Sequence, residues 1–143
     1  MIRKVEAFVP LMEEAFNSDK TFKMPVKGTS MLPFINEKHY VILKKVDTLK
    51  RNDIILYKRD NGQYVLHRIF KIKKDYYVLL GDNQVHREYP IYERQIIGKV
   101  IAVCKGEKIH HLTGFKYKLY LFFWSFRAVR LLCFPFTRRR KIK

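Results

Sequence analysis

Three short stretches of this 143-residue chain hold residue types suited to acyl transfer: a serine in a turn, a histidine in an apolar run, and two carboxylates beyond a glycine. Only three serines occur. Ser18 lies in Asn17-Ser18-Asp19-Lys20, a polar helix end where a hydroxyl caps or turns the chain. Ser125 lies in an aromatic tail. Ser30 lies in Val26-Lys27-Gly28-Thr29-Ser30-Met31-Leu32-Pro33, where a strand runs into a glycine and a proline then blocks any further ladder. Such a step exposes a hydroxyl and leaves backbone N–H groups for an oxyanion. Taken alone, the segment reads first as a simple turn serine.

His67 interrupts the run Tyr64-Val65-Leu66-His67-Arg68-Ile69-Phe70. Period-two alternation puts it on one face with Val65 and Ile69, and Arg68 on the other. Imidazole titrates near neutrality, so a half-buried histidine beside a serine suits a general base; alone, it also reads as a satisfied core histidine. Asp82 and Glu88 lie in Gly81-Asp82-Asn83-Gln84-Val85-His86-Arg87-Glu88. Either could orient the histidine. Equally, Asp82 is a plain turn residue, and Glu88 a solvated charge paired with Arg87 or Arg94.

These residues need elements to hold them. Val5, Phe8, Val9, Met12 and Phe16 recur at helical spacing, predicting an amphipathic helix over residues 5–17, with Pro10 kinking it or delaying its start. Residues 21–106 change to period two. The pattern predicts strands over 21–26, 40–44, 53–58, 64–71, 76–80 and 96–103, separated by turn residues. Asp60-Asn61-Gly62 is the strongest hairpin signal. The expected fold is mainly β, a small coiled all-β barrel or sandwich with a short N-terminal helix (residues 1–20) and a C-terminal amphipathic helix and tail (residues 107–143).

The ordered set Gly28-x-Ser30-Met31-x-Pro33, Gln63-Tyr64-Val65-Leu66-His67-Arg68-Ile69, Gly81-Asp82-Asn83 and Ile97-Gly98-Lys99-Val100 resembles the signal peptidase/LexA-like serine peptidase superfamily over residues 20–105. Asn52-Asp53-Ile54-Ile55-Leu56-Tyr57 fits where that superfamily usually has Gly-Asp-Ile-Val. Bacterial-type signal peptidases and repressor proteases pair Ser with Lys. The archaeal and endoplasmic-reticulum type pairs Ser with His, in a His-Arg step. The chain reads His67-Arg68 and so is similar to the Ser/His branch.

The resemblance implies Ser30 as nucleophile and His67 as base, with Glu88 orienting His67, at the position where that branch has Asp, and Asp82 in support. It also implies an oxyanion hole built on the Ser30 N–H with Thr29 and Met31 beside it. Some relatives add a serine hydroxyl where this chain has Gly28. The implied activity is a serine endopeptidase cleaving a peptide or leader in trans. Two features favour trans cleavage over the self-cleavage of repressor proteases. No Ala-Gly or Cys-Gly dipeptide lies upstream of Ser30, and the residues before the strands are too few for a helix-turn-helix domain. The alternative is a catalytically degenerate membrane- or protein-binding module on the same fold.

Composition adds a partner. The net charge is +17, and residues 115–143 hold nine Lys or Arg and no Asp or Glu. This aromatic, basic segment has no apolar run near the roughly 20 residues a spanning helix needs, so it suits the surface of an anionic membrane. The expected location is cytoplasmic and peripheral on the inner face of the membrane, with no N-terminal signal peptide or anchor. Packing against the β-domain is the competing reading of the helix. Nucleic-acid binding is disfavoured, because only the charge suggests it. Cys104 and Cys133 read as free buried thiols of a reducing compartment. No cofactor is expected, and His86 and His110-His111 lack metal-ligand spacing.

Overall fold

The computed structural model describes residues 2–126. Helix α1 spans Ile2–Asn17. Met12 and Phe16 are buried, with Val5 and Phe8 packed partly buried against the same core, as the helical spacing requires. The helix runs through Pro10, which sits on the exposed side, rather than starting after it.

The strands are β1 (Phe22–Pro25), β2 (Tyr40–Lys44), β3 (Ile54–Lys58), β4 (Tyr64–Ile72), β5 (Tyr77–Leu80), β6 (Glu88–Ile91), β7 (Ile96–Lys105) and β8 (Lys108–His111). They form one antiparallel sheet in the order β1-β2-β7-β3-β4-β5-β6, with β8 added to β7. The sheet is open, with β1 and β6 at its two ends. One edge of β7 pairs with β2 along Lys99–Cys104; the other is shared between β3 and then β8. This explains why β3 is buried along Ile54–Tyr57: it lies between β7 and β4 and packs on both faces.

The turn at Asp60-Asn61-Gly62 closes the β3–β4 hairpin, with Gly62 at φ +93°, a conformation that favours glycine. Alternation along β3 and β4 divides the apolar residues between two faces. Ile55, Tyr57, Val65 and Ile69 join one cluster with Leu79 and Ile91. On the other face, Ile54, Leu56 and Leu66 join the core under α1. Phe70, with Val78 and Leu80, meets Trp124 of a second helix, α2 (Phe115–Ser125). The mainly β architecture flanked by two helices is the expected one.

Candidate active site

Ser30 sits in a turn between β1 and β2, and that turn is held from one side by the segment after β5. The Asn83 N–H donates to the Ser30 carbonyl at 2.9 Å, and the Asn83 side-chain amide donates to the Thr29 carbonyl at 3.1 Å. In a trans peptide the N–H points opposite to the preceding carbonyl. Fixing these two carbonyls toward Asn83 therefore turns the N–H groups of Ser30 and Met31 away from it.

Gly81 is the closest point of approach. A Cβ there would lie 2.6 Å from the Ser30 carbonyl oxygen and 2.9 Å from Gln84 Oε1. This glycine serves close packing, not an unusual backbone angle. Strand register completes the juxtaposition: Arg68 pairs with Leu80 on β4 and β5, so the next position sets Gly81 beside His67. Gly81 thus packs against the Ser30 carbonyl at the position that register sets opposite His67.

Ser30, Gly28 and Met31 line one end of a cleft of about 330 Å³, whose walls include Met24, Val26, Leu56, Tyr64, Val65 and Leu66. Val5 and Phe8 of α1 complete it. The cleft is mainly apolar. Met31 also has a core role, since its side chain is buried with Ile35 and Val41.

His67 is buried on the face shared with Tyr57. Its Nδ1 lies 3.1 Å from the Tyr57 hydroxyl and 3.9 Å from Glu88 Oε1. Glu88 comes from β6 and is gripped by Arg59, whose Nε and Nη2 donate to the carboxylate at 2.8–3.2 Å. Burial pushes the Glu88 carboxyl up, but the Arg59 and Tyr57 hydrogen bonds and the nearby positive charge outweigh it and hold it below its ordinary value. Glu88 is therefore an anion at neutral pH. Burial, then the adjacent Glu88 charge, pushes the Tyr57 phenol well above its usual range, so it keeps its proton. Tyr57 and Arg59 are parts of this site that motif reasoning missed. The only signals were an aromatic on the strand paired with His67 and a cation just after that strand.

Asp82, expected in a supporting role, pairs with Arg68 rather than with His67. It forms a two-pronged pair with Arg68, Oδ1 to Nε at 2.8 Å and Oδ2 to Nη2 at 2.9 Å, with both side chains fully buried. Arg68 and His67 are neighbours on β4 and face opposite sides, so a carboxylate bound to one is directed away from the other. Aromatic rings of Phe34, Tyr117, Tyr120 and Trp124 surround the Arg68 guanidinium at 5.2–5.8 Å. The Tyr117 hydroxyl meets Arg68 Nη1 at 2.7 Å, and the Tyr120 hydroxyl donates to Asp82 Oδ2 at 2.7 Å. Burial works against the Arg68 charge, but Asp82 outweighs it and the guanidinium stays ionised. This cluster clamps α2 onto the sheet. Cys104 is buried and free; Cys133 and the basic cluster Arg138-Arg139-Arg140-Lys141 lie outside the described residues.

The Peptidase S24-like family matches residues 2–101, which include Ser30, His67 and the turn at Gly81. This chain belongs to that family. Among curated proteins it is 29% identical over 105 residues to a LexA repressor of Brevibacillus brevis, covering 73% of this chain and 50% of the relative. It is 30% identical over 106 residues to a LexA repressor of Lactobacillus delbrueckii subsp. bulgaricus, covering 73% of this chain and 51% of the relative. A LexA repressor of Geobacillus sp. is 29% identical over 106 residues, with the same shares of 73% and 51%. The chain spans about half the length of the curated relatives it matches. The family supports a serine-type peptidase at the general level, and the superfamily resemblance of the motifs holds at that level.

Proposed function

We propose that this protein is a serine endopeptidase of the Ser/His type that cleaves a peptide in trans, with Ser30 as nucleophile and His67 as general base. What supports this reading is the packing of the Ser30 turn on Gly81, where a Cβ would lie 2.6 Å from the Ser30 carbonyl, at the position that extending the β4–β5 register sets opposite His67.

The chemistry follows from proton counting. Ionised Glu88 has no proton to give, and the Tyr57 phenol has one. The phenol donates to the carboxylate, so the proton between Tyr57 and His67 is supplied by Nδ1. That tautomer makes Nε2 the basic nitrogen. Nε2 takes the Ser30 proton as Oγ attacks the scissile carbonyl. The N–H groups of Ser30 and Met31 receive the developing oxyanion. The proton passes to the leaving amine, leaving an ester on Ser30, which water hydrolyses with His67 as base again. In this reading Glu88 acts on His67 through Tyr57 rather than by direct contact.

A histidine base favours the Ser/His signal-peptidase branch, whereas the matched relatives are repressors by name. Cleavage in trans is favoured because Ser30 lines a mainly apolar cleft of about 330 Å³, with room for a separate peptide. The apolar cleft suits a substrate with an apolar residue near the scissile bond.

The test is labelling by a fluorophosphonate together with cleavage of a peptide library. Wild type should label at Ser30 and cut; Ser30→Ala and His67→Ala should lose cleavage while keeping the wild-type circular dichroism spectrum. Cleavage retained by folded Ser30→Ala would overturn the proposal. Absence of both labelling and cleavage in wild type would favour the binding-module reading.

A further inference from the structure

Helix α2 carries large apolar residues around most of its circumference, and the sheet uses only one side of it. At about 100° per residue, Tyr117, Tyr120 and Trp124 fall on one face, the one docked around Arg68 and Phe70. Phe115, Leu119, Phe122 and Phe123, continued by Phe126, fall on the opposite face within an arc of roughly 100°. All five are exposed, Phe115 at 78% and Phe122 at 56%. The rings of Phe122, Phe123 and Phe126 also pack edge to face into one contiguous patch. Lys116 and Lys118, both exposed, border this arc on its two sides.

We propose that this stripe docks α2 flat on an anionic lipid bilayer, independently of whether Ser30 is catalytically active. Three observations select lipid as the occupant. First, α2 has 11 residues, about half the length needed to cross, so on a bilayer its apolar face would lie in the interface. Second, the lysines border the stripe, where their stems run along the apolar surface and their ammonium groups reach lipid phosphates. Third, residues 115–143 carry nine Lys or Arg and no acidic residue, a field complementary to an anionic surface. The Arg68–Asp82 clamp joins the helix rigidly to the sheet, so docking would hold the whole β-domain in one orientation on the bilayer.

The test is co-sedimentation of the full chain with vesicles of phosphatidylcholine plus phosphatidylglycerol, and with phosphatidylcholine alone. Binding is expected to the mixed vesicles, weakened by salt, and much weaker to the neutral ones. The double variant Phe122→Ser/Phe123→Ser alters only exposed positions, so its melting temperature should stay near wild type. Its partition should fall by about tenfold or more, since burying one large apolar side chain is worth at least a factor of about ten. Absence of binding to the mixed vesicles, or unchanged partition of the folded variant, would overturn the proposal. So would self-association of wild type that the variant abolishes without vesicle binding, which would make a second copy the occupant.

Discussion

The Tyr57 hydroxyl lies 3.1 Å from Nδ1 of His67, nearer than the Glu88 carboxylate at 3.9 Å. A phenol stands where a triad would place an acid, and the acid stands behind it. Tyr57→Phe keeps the ring packing and removes the hydroxyl alone. Peptidase activity should fall about tenfold to a hundredfold in kcat, the scale of one hydrogen bond to a group that becomes charged. KM should move little, and the pH profile of kcat should shift. Wild-type kcat and pH profile in the folded variant would show that Tyr57 does not position His67.

Gly81→Ala tests the packing that joins the two sites. The added methyl would meet a backbone oxygen at 2.6 Å, which cannot rotate away as a side chain can. The Ser30 turn must therefore shift. Stability should drop by about 1–3 kcal/mol, the usual cost of overpacking. Fluorophosphonate labelling of Ser30, measured well below the melting temperature, should slow by more than that loss explains. Unimpaired labelling would show that the Ser30 turn tolerates displacement.

Asp82 is expected to matter for folding rather than for the proton path. Asp82→Asn leaves the Arg68 guanidinium buried without its counter-charge, which costs on the order of 3–5 kcal/mol. Replacing both partners, Arg68→Met with Asp82→Leu, should be milder than Asp82→Asn alone, because no orphan charge remains. Urea denaturation of the three proteins decides this. A stable but inactive Asp82→Asn would point instead to a catalytic Asp82.

Glu88 should make stability depend on acid. Its folded carboxyl titrates below the ordinary value, so the unfolded chain takes up the proton first as pH falls. The stabilisation is fully present above the ordinary glutamate pKa of about 4.3 and disappears as pH drops through that value toward the lowered one. Glu88→Gln should flatten the loss of stability expected between about pH 5 and about pH 3, followed by denaturant titration. An unchanged slope in Glu88→Gln would mean that the Arg59–Glu88 pair contributes nothing measurable.

Much of the fold was legible in local pattern. The α1 stripe, six of the strands and the hairpin at Gly62 follow from spacing within windows of a few residues. Alternation also separated His67 from Arg68, and the structure keeps them on opposite faces. Two strands escaped. β6 contains Pro90 with little alternation, and β8 is exposed along its whole length, so neither carries a period-two apolar signal. They are strands because β5 and β7 offer them edges.

The sequence by itself determined which residues have the chemistry: one serine in a glycine-led turn, one histidine on an apolar strand face, and two carboxylates downstream. It could not allot the carboxylates. Asp82 lies 14 residues from Arg68, and Glu88 lies 29 from Arg59, distances over which composition says nothing about contact. Strand register decided it, because shifting one residue along a strand turns a side chain to the opposite face. That geometry turned Arg68 toward Asp82 and His67 toward Tyr57 and Glu88, while the segment after β5 packed on the Ser30 turn.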